Sequence, residues 1–305
     1  MKPLAIVFAF AVGIAAAQQP KFTSIGALVR LDVSATDDKG NVRALQASDF
    51  TVTDNGVTQK VRIDEFADAP LDLELVAQPT ESLAATSPAQ AARMPAGLSE
   101  FIRQVEDRDR LGAIVAGAPP RKLRGLEPGR PEFGVETFAR GTNAATFDAI
   151  AAALPEFLPS DRSRALVVFC NGVDFRSTIT ADALTRAAGR LGPAFILIAS
   201  PVMVSEKTYV KAITTSDVTL AESTAMTTGW VFPVALERLA RTTGGFTVDL
   251  GAGDPAKVIA DLFARLRTRY VISYEPPAGK GWHSVSIKVN RRGVSVRARE
   301  GYFVD

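Results

Sequence analysis

His283 is the only histidine in the chain and Cys170 the only cysteine. The two side-chain types best suited to move protons or attack carbonyls near neutral pH are therefore scarce. A Ser/His/Asp triad would have to recruit His283, which stands beside Trp282 at the start of a strand-like segment; a structural or exposed histidine is the simpler reading. One histidine and one cysteine also cannot furnish a His-rich zinc centre or an HExxH site. GAGDPA lacks both the Walker pattern and the glycine spacing of a dinucleotide fingerprint, and reads as a turn that opens a helix. The acids of GLEPGRPEFGVE lie across a flexible loop, where solvated charge accounts for them better than paired acid/base work. No catalytic residue is assigned, and an enzyme is not expected.

The stretch VVFCNGVDFRS, residues 167–177, carries more chemistry. An apolar run ends in Cys170, then turns polar at Asn171, Gly172 and Asp174. Cys170 has no intramolecular disulfide partner and reads as the last small residue of a buried strand. In open α/β sheets, ligands bind beyond the carboxyl ends of strands, so Asn171 and Asp174 occupy a plausible rim.

The elements that would hold such a rim are visible as apolar runs. LDLELVA (71–77), LGAIVAG (111–117), ALVVFC (165–170), FILIAS (195–200) and GFTVDL (245–250) are the strand candidates. Helical faces alternate with them. Phe147, Ile150, Ala151, Leu154 and Leu158 share one side, interrupted by Pro155; Leu236 and Leu239 lie in a helix that stops at Gly244-Gly245. Asp254 caps a helix with Pro255 in its first position, and Val258, Ile259, Leu262, Phe263 and Leu266 recur along it. LSEFIRQVEDRD is amphipathic, after an Ala/Ser/Pro-rich stretch at 81–97. This order predicts an α/β fold: a mostly parallel central sheet with helices on both faces. Residues 201–232 form a long connection, either folded over the strand ends or a surface insertion.

The two ends have a different texture. Val29, Leu31, Val33 and Ala35 alternate with polar residues, as do Val285, Ile287 and Val289, and then Val294, Val296 and Ala298 after Arg291-Arg292-Gly293. Asn55-Gly56, between Phe50/Val52 and Val57/Val61/Ile63, predicts a tight hairpin, and the 285–298 segment predicts another. Neither end alone has enough strands to bury a sheet face. The expected organisation is an N-terminal β segment at 18–69 and a C-terminal one at 274–305, packed together as a small β domain around an α/β domain at 70–273. Two β extensions packed separately on the middle are the alternative.

The 35 Lys plus Arg nearly balance the 33 Asp plus Glu. A net charge of +2 offers nucleic acid no broad basic surface. Arg121-Lys122-Leu123-Arg124 and Arg291-Arg292 read as local surface charge. Residues 1–17, with LAIVFAFAVGIAAA after Lys2 and an Ala15-x-Ala17 end, read as a secretory signal peptide rather than a retained anchor. The expected location is secreted, periplasmic or extracellular, without stable transmembrane insertion after cleavage.

Taken together, RLDVSATDDKGNVRALQASDFTVTDNG, EDRDRLGAIVAG, GTNAATFDAI, VVFCNGVDFRS, LARTTGGFTVDL, RTRYVISYEPP and VSVRAREGYF resemble a bacterial secreted von Willebrand factor A-related family. The resemblance covers nearly the whole mature chain. It implies a Rossmann-like von Willebrand factor A-type sheet flanked by β segments, and extracellular binding rather than turnover. Family members with the full adhesion site hold Mg2+ through Asp-x-Ser-x-Ser, a Thr on a second loop and an Asp on a third. Here the matching positions are Gln78, Thr80 and Ser82, then Thr142, then Asn171. Hard cations draw much of their affinity from carboxylates, and Gln78 and Asn171 remove two of them. Glu81 and Asp174 are the possible rescue ligands. The resemblance therefore implies a degenerate adhesion site with no metal and no cofactor, and a protein of the cell envelope or extracellular space as partner. An Mg2+-dependent module with a rescued site, and a structural envelope protein, are the alternatives.

Overall fold

The structure is a computed structural model and describes residues 28–80, 92–141, 144–157, 162–171, 174, 176–191, 195–200, 231–251 and 253–304. The expected leader at 1–17 and nearly all of the 201–232 connection lie outside the described residues.

Five N-terminal strands come first: β1 (Val29–Asp37), β2 (Gly40–Asn41), β3 (Phe50–Asp54), β4 (Val57–Thr58) and β5 (Arg62–Phe66). The central unit follows with β6 (Leu71–Ala77), α1 (Arg93–Gln104), β7 (Arg110–Val115), β8 (Arg121–Pro128), α2 (Thr146–Ala153), β9 (Ser163–Phe169), α3 (Ala181–Leu191), β10 (Phe195–Ser200), α4 (Val231–Thr242), β11 (Thr247–Asp249) and α5 (Pro255–Arg267). The chain closes with β12 (Arg269–Tyr274), β13 (Gly281–Val289), β14 (Ser295–Arg297) and β15 (Gly301–Val304).

Among the described residues the central sheet has the order β11-β10-β9-β6-β7-β8. Its pairs are parallel except β7 with β8, which run antiparallel with register shifts. This is the doubly wound order, with its switch point between β6 and β9. Every residue of β6 is buried, as a central strand covered on both faces requires. Leu71, Leu73, Leu75 and Ala77 face Met94, Leu98 and Phe101 of α1 and Ile259, Leu262 and Phe263 of α5. On the other face Val76, Leu166, Val168, Ile196 and Ile198 meet Phe147 and Ile150 of α2, Leu184 and Ala188 of α3, and Leu236 and Leu239 of α4.

Local chemistry explains where these helices stop. Asp254 accepts a hydrogen bond from the Ala256 N–H at 3.1 Å with Pro255 at the first position, a capping arrangement that contributes about 1 kcal/mol. Pro155 cannot donate to the helix ladder, so α2 ends at Ala153 and tightens into a short 3-10 turn. After α4 the backbone passes so close to β10 that a Cβ on Gly245 would lie 1.8 Å from the Ile196 carbonyl oxygen; no other residue fits there.

The terminal strands form two facing sheets, β14-β1-β12-β5 with β2 on β1, and β15-β13-β3-β4. Leu31, Val33, Phe50, Val52, Tyr270, Ile272 and Val285 fill the space between them. Asn55 and Gly56 have φ of 48° and 82°, the turn that Asn-Gly favours. Both expected hairpins nevertheless need correction. The Asn55-Gly56 hairpin is two residue pairs deep, because Ile63 crosses to β5 in the other sheet. The 285–298 segment is not a ladder: β13 pairs with β3 and β15, whereas β14 leaves for the edge of β1. Alternation fixes which face of a strand is buried but not its neighbour, and here the better partner lay across the sandwich. The basic 121–124 stretch, read as surface charge, lies on the edge strand β8, where charged side chains guard an open ladder. The boundary expected at 273/274 falls at the last residue pair of the sandwich strand β12.

Candidate functional site

The polar rim forms where β6 and β9 end side by side. Gln78 follows β6 and is 1% exposed. Its Oε1 accepts the Asn171 N–H at 3.0 Å, and its Nε2 donates to Thr146 Oγ1 at 2.8 Å. A backbone N–H can only donate, so the amide is oriented with its oxygen toward Asn171. Gln78 therefore ties the ends of β6 and β9 to the start of α2. Asn171 is itself 9% exposed, directly after Cys170, which is buried in the apolar layer under α2.

Gly141, at the tip of the second loop, has φ of 135°, and a Cβ there would lie 2.9 Å from the Pro79 ring. The first and second loops thus touch through Pro79 and Gly141. Thr80 is partly exposed two residues beyond Gln78. Ser82, Glu81 and Thr142 lie outside the described residues.

Asp174 is buried and its carboxylate is fully committed. Oδ2 accepts the Phe147 N–H at 2.8 Å and the Ser177 hydroxyl at 2.6 Å, while Oδ1 accepts the N–H groups of Arg176 and Ser177. Phe147 stands in the first turn of α2, where N–H groups have no partner inside the helix and negative charge is favoured. Asp148 answers from the same turn, accepting the N–H groups of Thr178 and Ile179 at 2.9 Å. Two carboxylates thus clasp α2 to the loop after β9. Thr146, Asp148 and Pro79 were not singled out in the sequence, although Thr146 and Asp148 lie in the quoted GTNAATFDAI and their place at a helix start was the available signal.

Among the described residues the rim presents the Gln78 side-chain amide, already bonded to the Asn171 N–H and to Thr146, the neutral Asn171, and the Asp174 carboxylate, which is occupied by four donors. Among those residues no group of three acidic, histidine or cysteine side chains could hold a metal. Beside the rim a cavity of about 530 Å3 opens between Val115, Pro119, Arg121, Arg140 and Gly141.

His283 lies in the sandwich, 1% exposed. Its Nδ1 is 2.9 Å from Asp54 Oδ1, and Asp54 Oδ2 accepts the Tyr274 and Tyr302 hydroxyls at 2.9 and 2.5 Å. Burial first, then the Asp54 carboxylate, push both phenols well above the usual tyrosine range. This buried network satisfies its own members and holds β3, β12, β13 and β15 together. Of the two readings open to His283, structural or exposed, the structural one holds.

No family model matches the sequence, and no curated protein matches it. Structural likenesses are distant. The von Willebrand factor type A protein from Catenulispora acidiphila is 10% identical at a TM-score of 0.45, covering 93% of this chain and 75% of that one. Proximal thread matrix protein 1 from the mussel byssus is 10% identical at a TM-score of 0.44, over 77% of this chain and 50% of its own, so the chain spans half of that protein's length. The ArnB paralog VWA2 from Sulfolobus acidocaldarius is 7% identical at a TM-score of 0.39, over 91% of this chain and 76% of its own.

Proposed function

We propose that this chain is a secreted, non-enzymatic protein-binding module whose strand-end rim works without a divalent cation, with a protein of the cell envelope or extracellular space as its partner. The observation that carries the reading is the pair of amides at the rim. Gln78 and Asn171 stand where the resemblance leads one to expect carboxylates, and the Gln78 side chain is spent on joining β6, β9 and α2. A cation bound there would have to break those bonds and take its charge compensation from elsewhere. Asp174 serves the clasp on α2, so the reading gives it a structural role rather than that of a rescue ligand.

Among the described residues no helix is long and apolar enough to cross a membrane. The location outside the cytoplasm rests on the leader-like residues 1–17. Partner recognition by this reading uses the partly exposed backbone and side chains of Thr80 and Gly141 and the adjoining cavity at Arg121 and Arg140.

The purified mature chain is expected to capture the same envelope protein in excess chelator as in millimolar Mg2+, and its melting temperature is expected not to move with Mg2+. Loss of specific capture on chelation, or an Mg2+-dependent rise in melting temperature abolished by Asp174→Asn, would favour the metal-dependent alternative instead.

A further inference from the structure

A second concave surface lies at the opposite end of the central sheet from Asn171. There α3, having run back from the rim, meets the sandwich across a cavity of about 720 Å3. Its floor is apolar: Ala187 on the helix side, and Trp282 of β13 and Phe303 of β15 on the other. Gly189 lets the indole approach, since a Cβ there would stand 3.3 Å from the Trp282 ring, and Arg299 fixes the junction by donating to the Gly189 carbonyl at 2.6 Å. Trp282 and Phe303 have ring centroids 6.5 Å apart and remain 42% and 40% exposed. Arg190 lays its guanidinium 4.2 Å over the Phe303 ring, and Arg186 stands one helical turn earlier on the same edge.

Two properties of this groove point the same way. Its volume falls within the roughly 300–1,000 Å3 of ligand pockets, and it sits between two packed units, where such pockets concentrate. Its two edge cations form no ion pair with a carboxylate among the described residues, although they flank exposed aromatic surface of the kind that marks interaction sites. A purely apolar occupant would strip water from the guanidiniums without replacing it. A purely anionic one would leave both rings uncovered.

We infer that this groove binds an acidic segment of a partner protein bearing an aromatic or aliphatic side chain, which covers Trp282 and Phe303 while flanking carboxylates pair with Arg186 and Arg190. The inference extends the binding-module reading to a second surface and is independent of the rim.

The full mature chain is titrated with an acetylated Glu-Phe-Glu-Leu-Glu peptide, followed by tryptophan fluorescence, alongside the same peptide with lysine in place of each glutamate. The acidic peptide is expected to bind, to weaken as salt rises, and to weaken about tenfold or more in the Arg186→Glu/Arg190→Glu double variant, while the lysine peptide binds far more weakly. Both arginines are exposed, so the double variant is expected to melt like the parent; the salt titration of the parent chain provides the electrostatic test independently of any variant. Absence of acidic-peptide binding, equal binding of the two peptides, or salt-independent binding that the double variant retains would each overturn the groove. Chelator-resistant partner capture that persists despite such a result would leave the rim reading intact, so the two failures are distinct.

Discussion

Glu74 is the residue least expected at its position: a carboxyl in the central strand, 1% exposed, with its Oε1 lacking a hydrogen-bond partner. It fits because the neighbouring strand carries Gly112, where a Cβ would fall 2.0 Å from that oxygen. Burial, reinforced by nearby Glu156 and opposed by Lys122, pushes its pKa up to about 8. The folded state therefore prefers the protonated form. This contribution is fully present below the ordinary carboxylate pKa and is lost as pH rises through about 8. Glu74→Gln keeps the shape without the charge. Thermal melts at pH 5 and pH 8 are expected to show the variant gaining on the parent at pH 8, by an amount on the order of a few kcal/mol, and little difference at pH 5. An unchanged gap between the two pH values would contradict a protonated Glu74. Residue by residue, the rim was legible where chemistry follows from type: Gln78 and Asn171 are neutral in any conformation. The role of Asp174 was not, because it depends on the backbone N–H of Phe147, which is 27 residues away and invisible to local pattern.

At the scale of elements, a buried pair braces the base of the sheet. Arg267, in the last turn of α5, reaches Asp109 with two nitrogens at 3.0 and 2.7 Å, and Asp109 also accepts the N–H groups of Leu71 and Glu106. Burial raises the Asp109 pKa, but the hydrogen bonds from Arg267 and from these backbone groups outweigh it and hold the carboxyl below its usual range. The parent thus keeps this contribution above the ordinary aspartate pKa and loses it as pH falls through the lowered value. Arg267→Met leaves a buried charge without its partner, and urea unfolding at pH 7 is expected to show a loss of about 3–5 kcal/mol. Because the orphaned Asp109 then gains from protonation, the deficit should shrink toward pH 4; a deficit that grew on acidification would reverse the assignment. Neither partner stood out in the sequence, since one closes a helix and the other closes the turn before β7. What did stand out were elements fixed by burial on both faces, such as LDLELVA and FILIAS, whose apolar runs need no partner to be recognised. β8 was missed for the converse reason: RKLRGLEP is an edge strand with exposed charges, and nothing in its periodicity distinguishes it from a loop.

Across the whole molecule, strands from the two ends of the chain pair with each other, β1 and β5 with β12 and β3 with β13. Phe66 and Arg269 are direct partners across the β5·β12 ladder, and the Ala69 N–H donates to the Arg267 carbonyl at 2.9 Å. The chain therefore leaves and re-enters the sandwich at adjacent points, the geometry that a domain insertion would need. If the sandwich depends on its own core of Leu31, Val33, Phe50, Val52, Tyr270, Ile272 and Val285 and on its Asp54 network, then replacing residues 67–268 by a two-residue Asn-Gly turn should close β5 onto β12 as a hairpin. The resulting chain of roughly 90 residues is small for a single core, so its stability will be small. It is nevertheless expected to unfold cooperatively in urea and to retain the near-ultraviolet signal of its buried tyrosines. Since Trp282 and Phe303 would lose the α3 wall of their groove, the same chain should not bind the acidic peptide. A molten chain, without a cooperative transition, would mean that the central unit is a folding template for the strands around it and not merely their passenger.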